Sequence, residues 1–270
     1  MSQAFAAAVR GTGFELGDAA YGARPDQIAE VVLPPATGPL PLVIVIHGGF
    51  WRAIYDRTHT APQCVALARA GWAVAALEYR RVGGGGGWPE TFADVAAGVD
   101  AVPEALGSAI DPDRVVLMGH SAGGHLALWA AGRHRLPSGA PGHRGNPPRL
   151  RGVVALGAVA DLGWALGNRV GTGAVLDLLG AADPGELESR SRLADPAALL
   201  PTGIRTILVH GARDESVPPD CAAAYAAAAT AAGDRCELRL LADVGHFELI
   251  DPGSTAWPAV AGAAAHLLDG

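Results

Sequence analysis

Short apolar runs rich in Val, Ile, Leu and Ala alternate along this chain with segments of helical pattern. Several runs are apolar at every position rather than at every second one. Continuous apolar runs of this length are typical of strands buried on both faces, as in parallel sheets covered by helices. The sequence therefore predicts an α/β fold with a mostly parallel central sheet and helices on both faces. The runs interpreted as strands are IAEVVLPP, PLVIVIHGG, WAVAALEYR, DRVVLMG, GVVALGAVADL, RTILVHG and CELRLLA.

Length and composition are typical of one large domain. The chain has 270 residues, of which 50% are hydrophobic and 17% are charged, as in proteins that fold around a core. We expect a single domain over residues 1–270. Residues 162–203 lack a strand pattern and are predicted to form a few short helices, a small cap insertion above the sheet. The arm before Ile28 is expected to be extended, and the five glycines at 83–87 are expected to form a flexible loop.

Charge and residue types exclude several classes of function. The net charge is −7, so general attraction to nucleic acid or to an anionic membrane is not expected. All 20 basic residues are Arg, which excludes chemistry that needs a lysine amine, such as Schiff-base formation. Cys64, Cys221 and Cys236 have no CxxC spacing, which indicates neither a disulfide framework nor a zinc ribbon. No metal and no organic cofactor is expected.

The N-terminal sequence MSQAFAAAVRG has no basic segment and only a short apolar run, so no signal peptide is predicted. No uninterrupted apolar stretch approaches the roughly 18 residues of a membrane-spanning helix. Together with the cysteine usage, this predicts a cytoplasmic protein. The sequence leaves the oligomeric state open, with a homodimer as one of the arrangements.

The segment GHSAGG at 119–124 places Ser121 between a predicted strand and a predicted helix. In that context G-x-S-x-G forms a sharp turn that strains the serine backbone, and side chains at the flanking positions would collide with neighbouring segments. The following helix directs its free N–H groups towards negative charge beside the serine. The pattern alone fits a turn without chemistry equally well, so a base and an acid are needed to decide.

A histidine and a carboxylate follow the ends of two later predicted strands. Asp214 comes shortly after RTILVHG, and His246 comes shortly after CELRLLA. A serine hydroxyl becomes a nucleophile when a base takes its proton, so Ser121, His246 and Asp214 are candidates for a catalytic triad. Glu215 and Asp220 are neighbouring alternatives to Asp214, which lies closest to the predicted sheet. The remaining histidines are interpreted as structural or solvent-facing.

The segment IHGGFW follows an early buried strand and is predicted to stabilise an oxyanion. Acyl transfer creates a tetrahedral oxyanion, which needs two or three convergent donors, usually backbone N–H groups. The two glycines allow the backbone to approach the site. We assign the amides of Gly49, Phe50 and Ala122 to this oxyanion hole and expect the His47 ring to hold the loop.

The ordered motifs HGGFW, GHSAGGHLAL, HGARDESVP and GHFELIDP resemble the α/β-hydrolase superfamily, specifically its esterase and formamidase branch with HGG-x-W, which includes kynurenine formamidases. The resemblance extends from about Val31 to the C-terminus. It implies a serine hydrolase that cleaves a small ester or amide through an acyl-enzyme, either a carboxylesterase or an arylformamidase. A small aminopeptidase, a biosynthetic acyl-transfer enzyme and a non-catalytic ligand-binding protein on the same fold are the alternatives.

Substrate preference is expected to come from aromatic side chains near these loops. For each of them, a place in the core is an equal alternative. The candidates are Trp51, Tyr55, Trp88, Trp164 and Phe247.

Overall fold

The computed structural model describes residues 1–269, and within them eight strands form one sheet in the order β1-β2-β4-β3-β5-β6-β7-β8. In chain order the strands are β1 (Glu15–Ala20), β2 (Ile28–Leu33), β3 (Leu40–Ile46), β4 (Ala73–Leu77), β5 (Ile110–His120), β6 (Gly152–Leu156), β7 (Thr206–Gly211) and β8 (Cys236–Leu241). β2 pairs antiparallel with β1 and with β4, and every other neighbouring pair is parallel. The predicted mostly parallel sheet is confirmed.

Helices cover both faces of the sheet. They are α1 (Gln3–Ala8), α2 (Ala61–Arg69), α3 (Glu90–Leu106), α4 (Ala122–Gly132), α5 (Leu162–Gly167), α6 (Ala174–Leu179), α7 (Pro184–Ala194), α8 (Pro219–Ala231) and α9 (Trp257–Asp269). α3, α4 and α8 contribute to the apolar core on one face, and α1, α2 and α9 contribute to the core on the other. Within residues 1–269 no helix is both long enough and apolar enough to cross a membrane.

The sequence of β3, LPLVIVI, shows why this strand lies in the middle of the sheet. Ile44 and Ile46 point into the core beneath α3 and α4, whereas Val43 and Val45 point into the core beneath α2 and α9. Side chains alternate between the two faces of a strand, so a strand covered on both sides has to be apolar at every position.

The predicted extended N-terminal arm is wrong, because residues 3–8 form α1 and residues 15–20 form β1. Ser2 caps α1, and Phe5 buries its side chain completely against the sheet. β1 has the sequence ELGDAA and is largely exposed, so it lacks the apolar pattern used to recognise the other strands. Backbone pairing with β2 along its whole length forms this edge strand.

Residues 162–203 form α5, α6 and α7 and a 3₁₀ helix at Pro196–Leu199, and they contain no strand. The segment packs against two loops at the carboxyl edge of the sheet. The Trp88 N–H donates to Leu178 O at 2.7 Å, and Arg52 Nη2 donates to Gly171 O at 3.4 Å. The short helices are as predicted, whereas a role as a cap stays a prediction.

Candidate active site

Ser121 follows β5 directly and caps the N-terminus of α4. Its backbone has φ 55° and ψ −119°, a conformation that strains a residue other than glycine. A Cβ on Gly119 would lie 2.1 Å from Gly123 O, and one on Gly123 would lie 2.0 Å from Ile46 O. The predicted strain and the predicted collisions are therefore both present, and they explain why glycines flank this serine.

His246 and Asp214 form a buried hydrogen-bonded pair. His246 Nδ1 donates to Asp214 Oδ2 at 2.6 Å, while Asp214 Oδ1 accepts from the N–H groups of Ser216 and Val217 at 2.9 and 2.8 Å. Burial opposes ionisation of Asp214, but interactions with His210, His246 and the Val217 N–H outweigh it and hold its pKa below the usual range. The ionised carboxylate therefore fixes the proton of a neutral His246 on Nδ1 and leaves Nε2 free to accept one.

Ser121 and His246 line one cavity of about 310 Å³. Ser121 Oγ makes no hydrogen bond to His246 or to another group of residues 1–269 in this structure. A larger groove of about 710 Å³ lies at the amino end of β5 and contains none of the triad candidates. Within the described residues no group of three or more His, Cys, Asp or Glu side chains is arranged to bind a metal ion.

The loop after β3 brings unpaired backbone N–H groups to the same cavity. Gly49 and Phe50 line it, and no acceptor within residues 1–269 binds their N–H groups. Ala122 is the first residue of α4, where the N–H has no acceptor within the helix. A Cβ on Gly48 would lie 2.8 Å from the backbone oxygen of His120, so the close approach of this loop to the serine turn requires glycine. The arrangement fits the oxyanion-hole assignment, which stays a prediction.

His120 packs beside the serine turn, in line with its interpretation as a structural histidine. Its ring centroid lies 4.4 Å from that of His246, and its Nε2 lies 3.0 Å from His246 O. Burial, together with the nearby His246, lowers the pKa of His120 to about 3. The neutral ring therefore donates to the His246 carbonyl and anchors the backbone of the predicted base.

Residues 30–228 match the BD-FAE family, a match that includes Ser121 and Asp214. The chain belongs to this α/β-hydrolase esterase family. The BD-FAE match ends before His246, so the assignment of the histidine rests on the geometry above.

Curated relatives of this BD-FAE member are named as ester hydrolases. The probable carboxylic ester hydrolase LipM of Mycobacterium tuberculosis is 34% identical over 128 residues, which are 46% of this chain and 29% of that protein. The probable isoprenylcysteine alpha-carbonyl methylesterase ICMEL2 of Arabidopsis thaliana is 26% identical over 242 residues, 85% of this chain and 56% of that protein. The chain thus spans less than two thirds of the length of either relative.

A solved structure shares the fold of this BD-FAE member. Esterase B of Lactobacillus rhamnosis superposes with a TM-score of 0.79 at 20% identity, covering 98% of this chain and 91% of that one. The predicted α/β-hydrolase fold is confirmed.

Two of the five aromatic candidates line the cavity of this BD-FAE member. Tyr55 and Phe247 do so with 48% and 68% of their surfaces exposed. Trp51 does not, because it is 1% exposed and packs edge-on against His125 at 5.1 Å between ring centroids. The assignment of this tryptophan to the substrate pocket is therefore corrected to a core position.

Trp88 and Trp164 also lie outside the lining of the cavity. Trp88 packs against Phe92 with 4.9 Å between ring centroids, and Trp164 is half-buried on α5. Neither tryptophan lines the cavity that contains Ser121, so both substrate assignments are corrected.

Four further side chains line the cavity without having been predicted to do so. His59 was expected to be structural, but a 3₁₀ helix at Arg57–Thr60 places it at the cavity. The sequence has a helical pattern from about Thr58, but this pattern does not show that the first turn brings His59 to the cavity. The four residues are His59, His120, Ser216 and Ile250.

Proposed function

We propose that this protein is a serine esterase that cleaves small carboxylic esters through an acyl-enzyme. The observation that carries the proposal is the 2.6 Å hydrogen bond from His246 Nδ1 to Asp214 Oδ2, formed at the cavity that Ser121 lines. Membership of an esterase family supports an ester in preference to an amide.

The mechanism uses the imidazole first as a base and then as an acid in each half-reaction. Ser121 Oγ attacks the ester carbonyl carbon while His246 Nε2 takes the hydroxyl proton. The imidazolium then gives this proton to the leaving alcohol, and an acyl-serine remains. Water attacks the acyl-serine with His246 again as the base, which releases the acid and restores the serine. Hydrogen bonds of this kind often tighten only when substrate binds, so the open contact at Ser121 Oγ is compatible with the mechanism.

Backbone donors and the shape of the cavity complete the proposal. The N–H groups of Gly49, Phe50 and Ala122 stabilise the oxyanion in both tetrahedral intermediates. A cavity of about 310 Å³ with Tyr55 and Phe247 at its opening suits a short acyl group or a small aromatic group. Residues 162–203 act as a cap in this scheme.

The test compares hydrolysis of p-nitrophenyl acetate by the wild-type protein with hydrolysis by Ser121→Ala. Turnover and covalent labelling by a fluorophosphonate should both disappear in Ser121→Ala. Ser216→Ala removes the other serine at the cavity and should keep the label. A label that persists in Ser121→Ala would exclude Ser121 as the nucleophile. Parallel assays with N-formylkynurenine and aminoacyl anilides would reveal a formamidase or a peptidase instead.

A further inference from the structure

We propose that His47 is a doubly protonated imidazolium, held in that state by Glu78, and that it positions the Gly49 N–H for the oxyanion. This inference deepens the proposed function and rests on it for the catalytic role. The charge state of His47 is a separate statement that does not depend on turnover.

Both ring nitrogens of His47 face hydrogen-bond acceptors. Nδ1 lies 2.8 Å from Gly48 O, and Nε2 lies 2.9 Å from Glu78 Oε1. A carbonyl oxygen only accepts, so Nδ1 carries a proton. Nε2 carries a second proton if Glu78 is ionised, because an ionised carboxylate also only accepts.

The hydrogen bonds around Glu78 show that it is ionised. Besides His47, its carboxylate accepts from Tyr79 N at 3.0 Å, Arg57 N at 3.1 Å and Arg57 Nη1 at 3.2 Å. Arg81 Nη1 lies 2.6 Å from Glu78 Oε1 and is a fourth donor besides His47. Without counting His47, these four donors fill the roughly four lone-pair sites of a carboxylate and leave no position for its own proton. Burial opposes ionisation, but the hydrogen bond and charge of His47 and the charge of Arg81 lower the pKa of Glu78 to about 2.

A positive His47 ring makes the surrounding cluster neutral when Asp26, whose side chain is 35% exposed, is counted with it. Arg57 bridges Glu78 and the fully buried Glu30, and Arg81 bridges Glu78 and Asp26. Three carboxylates thus share two guanidinium groups, and the imidazolium supplies the third positive charge of this cluster. Buried charges need such compensation, because an unpaired one costs several kcal/mol.

Tyr79 provides a further contact that favours the cation. Its ring stacks on the His47 ring with 4.4 Å between centroids and 16° between planes, and its hydroxyl donates to His47 O at 2.8 Å. A positive ring over an aromatic face gains cation–π attraction. On the other side, the His59 ring meets the His47 ring edge-on at 5.7 Å, and burial together with the His47 charge lowers the pKa of His59.

The position of the His47 Nδ1 proton determines the orientation of the Gly48–Gly49 peptide. The C=O and N–H of a trans peptide point in opposite directions, and this peptide is trans. Since Gly48 O is bound to Nδ1–H, the Gly49 N–H points away from the His47 ring. Gly49 lines the cavity, and no acceptor within residues 1–269 binds its N–H. His47 is therefore a positioning residue that acts on the oxyanion through one peptide unit.

The experiment uses ¹⁵N-histidine NMR of the full chain, with His47→Gln to assign the ring signals. We expect two ring N–H groups on His47 in the wild-type protein and in Glu78→Asp, which keeps the negative charge. Glu78→Gln should lose one of them. If His47→Gln does not fold, nuclear Overhauser contacts with the stacked Tyr79 ring assign the His47 signals instead. A single ring N–H on His47 in the wild-type protein would overturn the inference.

Kinetics test the positioning role. For His47→Ala, which removes the Nδ1–H donor to Gly48 O, we expect kcat for p-nitrophenyl acetate to fall at least tenfold, towards the roughly 10²–10³ of a lost oxyanion donor, with KM changed less than about threefold. Asp94→Asn is the control for loss of a buried polar contact, because Asp94 pairs with Arg80 at 2.7 Å and does not contact His47. It should keep the wild-type kcat. Wild-type kcat in a folded His47→Ala would refute the positioning role, whereas a wild-type protein inactive on all esters would refute the proposed function and leave the NMR result to decide the charge of His47.

Discussion

Replacing Asp214 by Asn changes one atom of the side chain, and the structure determines which way the new amide faces. The N–H groups of Ser216 and Val217 both donate to Oδ1, at 2.9 and 2.8 Å. The amide oxygen has to occupy that position, because the opposite orientation would place an NH₂ group against two N–H donors. The NH₂ group then faces His246 Nδ1, which becomes an acceptor, and the imidazole proton moves to Nε2. An imidazole protonated on Nε2 cannot take the proton of Ser121.

The size of the effect follows from this loss of the base. Holding the wrong tautomer costs on the order of 10⁴ in kcat, equivalent to about 5 kcal/mol of transition-state stabilisation. Loss of the charge-assisted hydrogen bond to His246 should also lower the free energy of unfolding by about 2 kcal/mol. Since the folded state depresses the pKa of Asp214, this stability difference is complete above roughly pH 4 and shrinks as the pH falls further.

The assay measures kcat for p-nitrophenyl acetate at pH 7.5 together with chemical denaturation, using Glu215→Gln as the control. Glu215 is the exposed neighbour of Asp214, so its substitution removes the same charge at the same loop and should leave kcat unchanged. If Asp214→Asn kept more than about a tenth of the wild-type kcat, or if Glu215→Gln were the more damaging change, the assignment of the acid would be wrong.

Three further predictions concern packing, substrate contact and pH. Gly123→Ala should lower the free energy of unfolding by at least about 1–3 kcal/mol in denaturant titrations, because its Cβ would lie 2.0 Å from a backbone oxygen; Gly262→Ala, with no atom within 4 Å, should be neutral or stabilising. Phe247→Ala should raise KM for aryl esters by up to about tenfold through loss of aromatic contact, whereas Trp88→Ala should not change it. Burial lowers the pKa of His125 to about 4, so its contribution to stability is complete above roughly pH 6.5 and is lost as the pH falls towards 4. The unfolding temperature of His125→Gln should therefore fall less over that range than that of the wild-type protein.

The central fold could be predicted because burial on both faces of a sheet imposes a strong compositional requirement. Short runs that are almost entirely apolar, such as PLVIVIHGG and GVVALGAVADL, favour strands buried on both faces. Each of these two runs contains a strand of the parallel part of the sheet. β1 shows the limit of this reasoning. Its sequence ELGDAA has no apolar alternation, and only the long-range pairing with β2 makes it a strand.

Positions in the site were predictable where backbone topology alone determines them. Ser121, Asp214 and His246 follow three strands of one parallel series, so their proximity follows from the topology whatever their side chains do. The tryptophans depended on side-chain direction instead. Trp51 follows Phe50 directly, yet the Trp51 side chain points into the core, whereas Phe50 lines the cavity. Both have positive φ, at 57° and 49°, which a sequence pattern does not reveal for residues other than glycine.

Glu78 satisfied the same topological rule as the triad and was still missed. It follows β4 as closely as Ser121 follows β5, and β4 pairs in parallel with the strand that leads to His47. A polar residue directly after a buried parallel strand is brought to the catalytic edge whether it reacts or only orients another group. A nucleophile, a base and an acid can be proposed from a sequence because their residue types and their order along the chain are characteristic. A carboxylate whose role is to keep an imidazole charged has no such sequence pattern. Its recognition required the four hydrogen-bond donors that three separate segments bring to it, which is information that only the folded chain contains.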